Sequence, residues 1–227
     1  MKDRILMPCI PLRGLSIFPR TILHFDIGRE KSIKALESAM NGDKLLFVTS
    51  QKDENILIPT PDDYYQVGTV VKVKQMLKIQ GDAVRVLVDG QYRATLEEIV
   101  TEEPFIQAAV EEAEIIPADN TELEVQAMMR SVLCAFDEYI ELNPAVKEEV
   151  YDLINSIEEP DIFADTIAMQ MDIKISAKQE ILEAFDVKER LEILNRIILE
   201  ENQILILEKD ISEKVKESVN QNQKEYN

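Results

Sequence analysis

The pattern of apolar and polar residues changes its period near residue 117. Before that point, short stretches alternate apolar and polar residues and are separated by turn-forming residues, a pattern typical of antiparallel β-strands. All six glycines and seven of the nine prolines precede Ala118. We therefore predict a β-rich lobe over residues 1–116, built as a compact, partly open barrel.

This lobe contains seven strand candidates and one helix candidate. The Asp89-Gly90 pair is a turn signal and is predicted to separate two of the strands. The helix over 30–40 places Ile33, Leu36 and Met40 on one face, and we expect it to lie across the barrel. The strand candidates are 5–10, 22–27, 44–49, 67–76, 84–88, 92–98 and 105–111.

The second half of the chain carries repeated signals for the start of a helix. Thr121 and Glu124 form a capping-box pair, in which the side chain at the third helical position reaches back to the amide of the cap. Asn143-Pro144 and Glu159-Pro160 fit a cap followed by proline at the first helical position. These signals predict a helical bundle over 117–186.

The last helix is predicted to be long, because residues 187–226 contain neither glycine nor proline. At 1.5 Å per residue such a helix measures roughly 60 Å. Its first part has two apolar stripes and is expected to pack, whereas its second part has one. We therefore interpret 187–227 as a helix that is packed at its start and then projects as a coiled-coil-like stalk, although a frayed polar tail fits the composition about as well. The candidates for self-association are Leu207, Ile211, Val215 and Val219.

The net charge of −19 belongs mainly to the second half. Fourteen basic and 18 acidic residues precede Pro117, which leaves −15 for the remainder. An acidic surface repels phosphate backbones, so nucleic acid is not an expected partner of this segment. Every apolar run is shorter than the roughly 18 residues needed to span a membrane, and no signal sequence is recognised, so we expect a cytoplasmic protein. The two cysteines, Cys9 and Cys134, are expected to be reduced and buried.

The sequence predicts no catalytic chemistry within this chain. None of the glycines begins the G-x-x-x-x-G-K-[ST] loop that cradles phosphates. The only histidine, His24, alternates with Ile22 and Asp26 on a strand and is expected to face solvent. We therefore predict no catalytic, cofactor-binding or metal-binding residue.

Binding of unfolded chains would require exposed apolar residues, because unfolded chains differ from folded ones mainly in displaying apolar segments. Six residues in an early loop and near a hairpin tip are candidates for such a surface. The alternative is that they are core residues or loop anchors. These substrate-binding candidates are Ile17, Phe18, Pro19, Met76, Leu77 and Ile79.

Five motifs, spread over most of the chain, resemble the amino-terminal region of Lon ATP-dependent proteases. The first is Ile-Pro-Leu-Arg-Gly-Leu-Ser-Ile-Phe-Pro at 10–19, and the second is Ile-Gly-Arg-Glu-Lys-Ser-Ile at 27–33. The others occupy 65–70, 182–191 and 222–226. One departure is Arg20-Thr21, where the family usually places glycine and an apolar residue.

The resemblance implies an α+β fold: a PUA-like β-barrel lobe with one helix, then an α-helical bundle ending in a long projecting helix. It also implies a non-catalytic domain that recruits misfolded or degron-bearing protein substrates and supports assembly of a hexameric ring. ATP, Mg and the Ser-Lys dyad of the serine protease are expected only in domains downstream. Two alternatives stay open: a free-standing LON-domain adaptor for a protein or small ligand without an attached ATPase, and an RNA-binding PUA-like protein.

Overall fold

The computed structural model describes residues 3–225, which form two compact units. The first unit comprises the described residues up to Pro117 together with 171–187. The second comprises 118–170 and the described residues from Lys188 onward. The α+β class and the long final helix are confirmed.

The first unit contains a β-barrel. Its elements up to residue 117 are β1 (Arg4–Leu12), β2 (Ile22–Ile27), α1 (Glu30–Asn41), β3 (Leu45–Ser50), a short 3-10 helix (Pro61–Asp63), β4 (Val67–Lys78), β5 (Val84–Thr101) and β6 (Gln107–Glu112). The sheet has the order β2-β5-β4-β3-β1-β6, and β5 also pairs with β6, so that five strands close on themselves and β2 lies at an edge. Strand β5 pairs with β2 through residues 84–89 and with β6 through residues 94–101.

Two features of the sheet differ from the sequence-based expectation. Strands β1 and β3 pair in parallel, which requires a crossover connection, and β2 and α1 form that connection. The Asp89-Gly90 pair is not a turn, since β5 runs through it and only the register with β4 shifts there. Glycine is needed at position 90 for another reason: a Cβ atom there would lie 2.3 Å from the main-chain oxygen of Phe18.

Both faces of the barrel wall are apolar. Leu36 and Ala39 of α1 pack with Val71 and Val73 in one buried cluster. The neighbouring Val70 lies in a second cluster, because successive residues of a strand point to opposite faces. The first part of β4 is thus buried on two sides.

A further helix, α5 (Ile175–Glu183), belongs to the first unit. The Gln179 side-chain amide donates a hydrogen bond to the main-chain oxygen of Val67 at 2.9 Å. The guanidinium of Arg93, which is 2% exposed, donates from Nε to the main-chain oxygen of Leu182 at 2.8 Å. The sequence-based assignment of 171–186 to the bundle therefore differs from the structure, because these buried polar groups tie the segment to the barrel.

The second unit is helical. Its buried Arg190 forms ion pairs with Asp161 and Asp165, and Asn202 donates to the main-chain oxygen of Ala135 at 2.9 Å. Residues 207–224 of the last helix are all exposed. The helix is followed to Glu225, and its predicted end at Tyr226 lies outside the described residues. The helices are α2 (Leu123–Leu142), α3 (Glu149–Asn155), α4 (Pro160–Gln170) and α6 (Val187–Glu225).

The two cysteines differ in exposure. Cys9 is buried, whereas Cys134 is exposed, so the expectation of two buried thiols is wrong for Cys134.

Over residues 3–225, the helices lack the length and apolar character that crossing a membrane requires.

Candidate functional site

The predicted apolar loop at Ile17, Phe18 and Pro19 is buried. Phe18 is fully buried, and the guanidinium of Arg93 lies 5.7 Å from the centre of its ring. The loop crosses β5 at Gly90, whose main-chain oxygen accepts a hydrogen bond from the amide of Arg20 at 2.8 Å. The expectation that these three residues present apolar surface is therefore wrong, because they anchor the loop to the barrel.

The second set of candidates, Met76, Leu77 and Ile79, lies near the hairpin between β4 and β5. Leu77 is 59% exposed, whereas Met76 and Ile79 are half-buried. Met76 packs against the core cluster beneath α1. Only Leu77 of this group is a large exposed apolar side chain.

The candidates for self-association are exposed in the single chain. Leu207, Ile211, Val215 and Val219 are each about half exposed or more, at 58%, 62%, 57% and 49%. Their spacing of four residues places them on one stripe of α6, which we call the final-helix stripe.

Sequence reasoning missed the most exposed apolar residues of the first unit, which lie in the loop between β3 and the 3-10 helix. Leu57 is 74% exposed and Ile58 is 88% exposed. Two hydrogen bonds hold the loop. Gln51 donates from Nε2 to the main-chain oxygen of Ile56 at 3.0 Å, and the Tyr64 hydroxyl donates to the main-chain oxygen of Pro59 at 3.2 Å. The signal in the sequence is a run of three apolar residues without strand alternation, between a charged segment and a proline.

Two adjoining clefts lie beside this loop. The larger has a volume of about 690 Å³, and the smaller about 400 Å³. Pro11, Arg29, Ser32 and Leu57 line both. The larger cleft is further lined by Leu12, Arg13, Leu15, Phe25, Asp26, Ile27, Gly28, Glu54 and Asn55, and the smaller by Cys9, Glu30, Lys31, Ile58, Pro59, Tyr64, Glu102 and Ile106.

The ionisable groups of the clefts suit binding better than chemistry. Burial raises the pKa of Cys9 to about 12, so the thiol stays protonated and is not a nucleophile at neutral pH. Burial likewise raises the pKa of Tyr64 to about 12, which keeps its hydroxyl a hydrogen-bond donor. The pKa of Arg29 is lowered by burial and then by the charge of Arg13.

The described residues offer no group of three or more metal-ligating side chains. His24 is exposed, as the alternation of β2 predicts. The clefts combine apolar surface with charged side chains: three cations, Arg13, Arg29 and Lys31, and four carboxylates, Asp26, Glu30, Glu54 and Glu102.

The fold is of the α+β class, with a β-barrel unit and a helical unit in one chain. Residues 7–200 match the family model described as the ATP-dependent protease La (LON) substrate-binding domain. The chain therefore belongs to this family.

Curated relatives agree with this assignment. The chain is 48% identical over 224 residues to a Lon protease of Clostridioides difficile, 44% identical over 226 residues to that of Clostridium acetobutylicum, and 40% identical over 220 residues to Lon protease 1 of Bacillus subtilis. These alignments cover 97%, 99% and 97% of the chain but only 28%, 29% and 28% of the relatives. The chain thus spans under a third of the length of these curated relatives.

Solved structures show the same fold. The N-terminal domain of a Mycobacterium avium complex Lon protease matches with a TM-score of 0.69 at 20% identity, covering 86% of this chain and 98% of that one. A Lon N-terminal domain protein from Xanthomonas campestris matches with a TM-score of 0.55 at 10% identity, covering 84% and 96%. At these identities the likeness shows the fold alone.

Proposed function

We propose that this chain is the non-catalytic substrate-recruiting domain of a cytoplasmic, ATP-dependent Lon protease and helps to assemble its hexameric ring. Misfolded or degron-bearing proteins bind to the clefts of the first unit, and ATP hydrolysis and peptide cleavage take place in other domains of the whole protein. The family description as a substrate-binding domain supports the first part of this proposal.

The observation that carries the proposal is the exposure of Leu57 and Ile58 at the two clefts. A soluble domain gains nothing for its own folding from two large apolar side chains that are 74% and 88% exposed. An extended, apolar segment of an unfolded protein would cover them and place its side chains in the clefts. Folded proteins hide such segments, which gives the domain a physical criterion for selecting unfolded ones.

The test is a titration of the chain against a labelled, permanently unfolded protein, followed by fluorescence anisotropy. Reduced and carbamidomethylated α-lactalbumin provides the unfolded form, and the disulfide-intact protein provides the native form. We expect saturable binding of the unfolded form only. Equal affinity for both forms would remove substrate recruitment as the function of these clefts.

Assembly is assigned to the final-helix stripe. A single apolar stripe on an otherwise polar helix is typical of a helix that packs against a partner helix. Sedimentation velocity over a range of concentrations tests whether the chain associates through this stripe.

A further inference from the structure

Two uncompensated cations lie on the wall of the larger cleft. Arg13 and Arg29 are close enough for the charge of Arg13 to contribute to the lowered pKa of Arg29. The guanidinium of Arg29 donates a hydrogen bond to the side-chain oxygen of Gln51, a neutral group that leaves its charge unbalanced. Within residues 3–225, Arg13 has neither a hydrogen-bond nor an ion-pair partner.

The carboxylates of the larger cleft balance this charge only in part. Asp26 accepts hydrogen bonds from Arg85 at 2.8 and 3.2 Å, so its negative charge is already compensated. The carboxylate of Glu54, which lies beside Gly14, has no hydrogen-bond or ion-pair partner among residues 3–225 and offsets one of the two guanidiniums. The larger cleft therefore keeps an excess of one positive charge, although the whole chain has a net charge of −19.

Apolar residues line both clefts. Leu15 and Phe25 line the larger cleft, Ile58 and Ile106 line the smaller, and Leu57 lines both. Because the clefts adjoin at Arg29, an extended chain that occupies both passes the cations at an internal position of its sequence. A carboxylate at that position would receive charge-assisted hydrogen bonds, which are stronger than those between neutral groups.

We propose that the two clefts bind an extended peptide segment in which an acidic side chain, flanked by apolar residues, accepts hydrogen bonds from Arg13 and Arg29. This inference rests on the proposed recruiting function and narrows its substrate class. Apolar contacts hold the segment, and the acidic residue sets its register in the clefts. An apolar segment without the acidic residue binds more weakly and without a fixed register.

Matched peptides test this inference. Both carry a fluorescent label and an amidated C-terminus, and they differ only in a central glutamate or glutamine between apolar residues. We expect the glutamate peptide to bind about 3- to 10-fold more tightly, the range for a partly exposed charged hydrogen bond. Because the interaction is between charges, higher salt should weaken binding of the glutamate peptide and leave the glutamine peptide almost unchanged.

Three variants locate the effect. Arg13→Gln is expected to remove most of the preference for glutamate and to leave binding of the glutamine peptide unchanged. Arg130→Gln, which makes the same change at an exposed position of α2, is the control and should preserve the preference. Glu54→Gln removes the uncompensated carboxylate of the cleft and should tighten binding of the glutamate peptide about threefold.

Equal binding of the two peptides overturns the inference, and so does a preference for glutamate that survives Arg13→Gln. In both cases the proposed recruiting function stands if the glutamate and glutamine peptides bind to the chain. A glutamine peptide with a free C-terminal carboxylate that binds as well as the glutamate peptide also overturns it, because a chain end would then be the ligand. If no peptide binds and unfolded α-lactalbumin does not bind either, the recruiting function fails together with the inference.

Discussion

Replacing Leu57 and Ile58 by serine is expected to weaken binding of an unfolded chain about tenfold. Full burial of a leucine or isoleucine side chain contributes about 2 kcal/mol. These side chains are 74% and 88% exposed, so a ligand that covered half of their exposed surface would gain about 1.6 kcal/mol from the pair. Since about 1.4 kcal/mol corresponds to a factor of ten, the dissociation constant should rise at least tenfold.

The same substitutions should leave the fold intact. Both side chains point away from the core, and surface substitutions usually change the free energy of unfolding by less than about 0.5 kcal/mol. The hydrogen bonds that hold the loop come from Gln51 and Tyr64, which are unchanged. A shift in the urea unfolding midpoint would show that the variant had altered the barrel as well as the ligand surface.

A matched control uses two exposed leucines of the second unit. Leu123 is 82% exposed and Leu153 is 57% exposed. Changing both to serine removes a similar apolar area at a distance in sequence from the clefts, and anisotropy titration with the unfolded protein should give an unchanged dissociation constant. The reasoning is refuted if the cleft variant binds normally, or if both double variants lose affinity equally.

The remaining predictions concern packing, titration and association. Gly90→Ala should lower the free energy of unfolding by about 3 kcal/mol in urea denaturation, because the new Cβ atom would lie 2.3 Å from the main-chain oxygen of Phe18. The control is Gly28→Ala, where a new Cβ atom would have no neighbour within 4 Å, and it should change the free energy of unfolding by less than about 0.5 kcal/mol. In the folded chain the pKa of Cys9 is about 12 against an ordinary 9.0, so the folded state keeps a proton that the unfolded state releases, and stability should fall as pH rises from about 9 toward 12. A thiol reagent at pH 8 should therefore modify one thiol in the native chain and both in denaturant, and a second fast-reacting thiol in the native chain would contradict the burial of Cys9. Ile211→Lys with Val215→Lys should weaken self-association in sedimentation without changing the circular dichroism of the rest, and unchanged sedimentation would exclude the final-helix stripe as an interface.

Local alternation was sufficient to predict most strands of the barrel. Both ends of β2 and the first residue of β4 agree with the sequence-based ranges, because each strand has apolar residues that face a buried cluster. The pairing partners were not predictable in the same way. The parallel pairing of β1 and β3 depends on the direction in which α1 returns the chain, and the role of Gly90 depends on a loop about 70 residues earlier in the sequence.

The exposure of the apolar loop residues at the candidate site could not be predicted from the sequence either. Ile17 and Phe18 form an apolar run in a loop, and so do Leu57 and Ile58, but the first pair is buried and the second is exposed. The difference comes from distant partners, since a guanidinium of β5 covers the ring of Phe18. Sequence patterns identify apolar loop residues, whereas only the fold determines which of them are exposed to solvent.

The chain leaves the first unit after residue 117, returns at 171 and leaves again after 187. The first unit is therefore assembled from two separate stretches of sequence, although all six strands lie in the first of them. A protein shortened to its first 117 residues would lack the carbonyl of Leu182 that accepts from buried Arg93 and the amide of Gln179 that donates to Val67. Any shortened form of the first unit therefore has to retain the returning segment up to about residue 187, about 75 residues beyond the last strand.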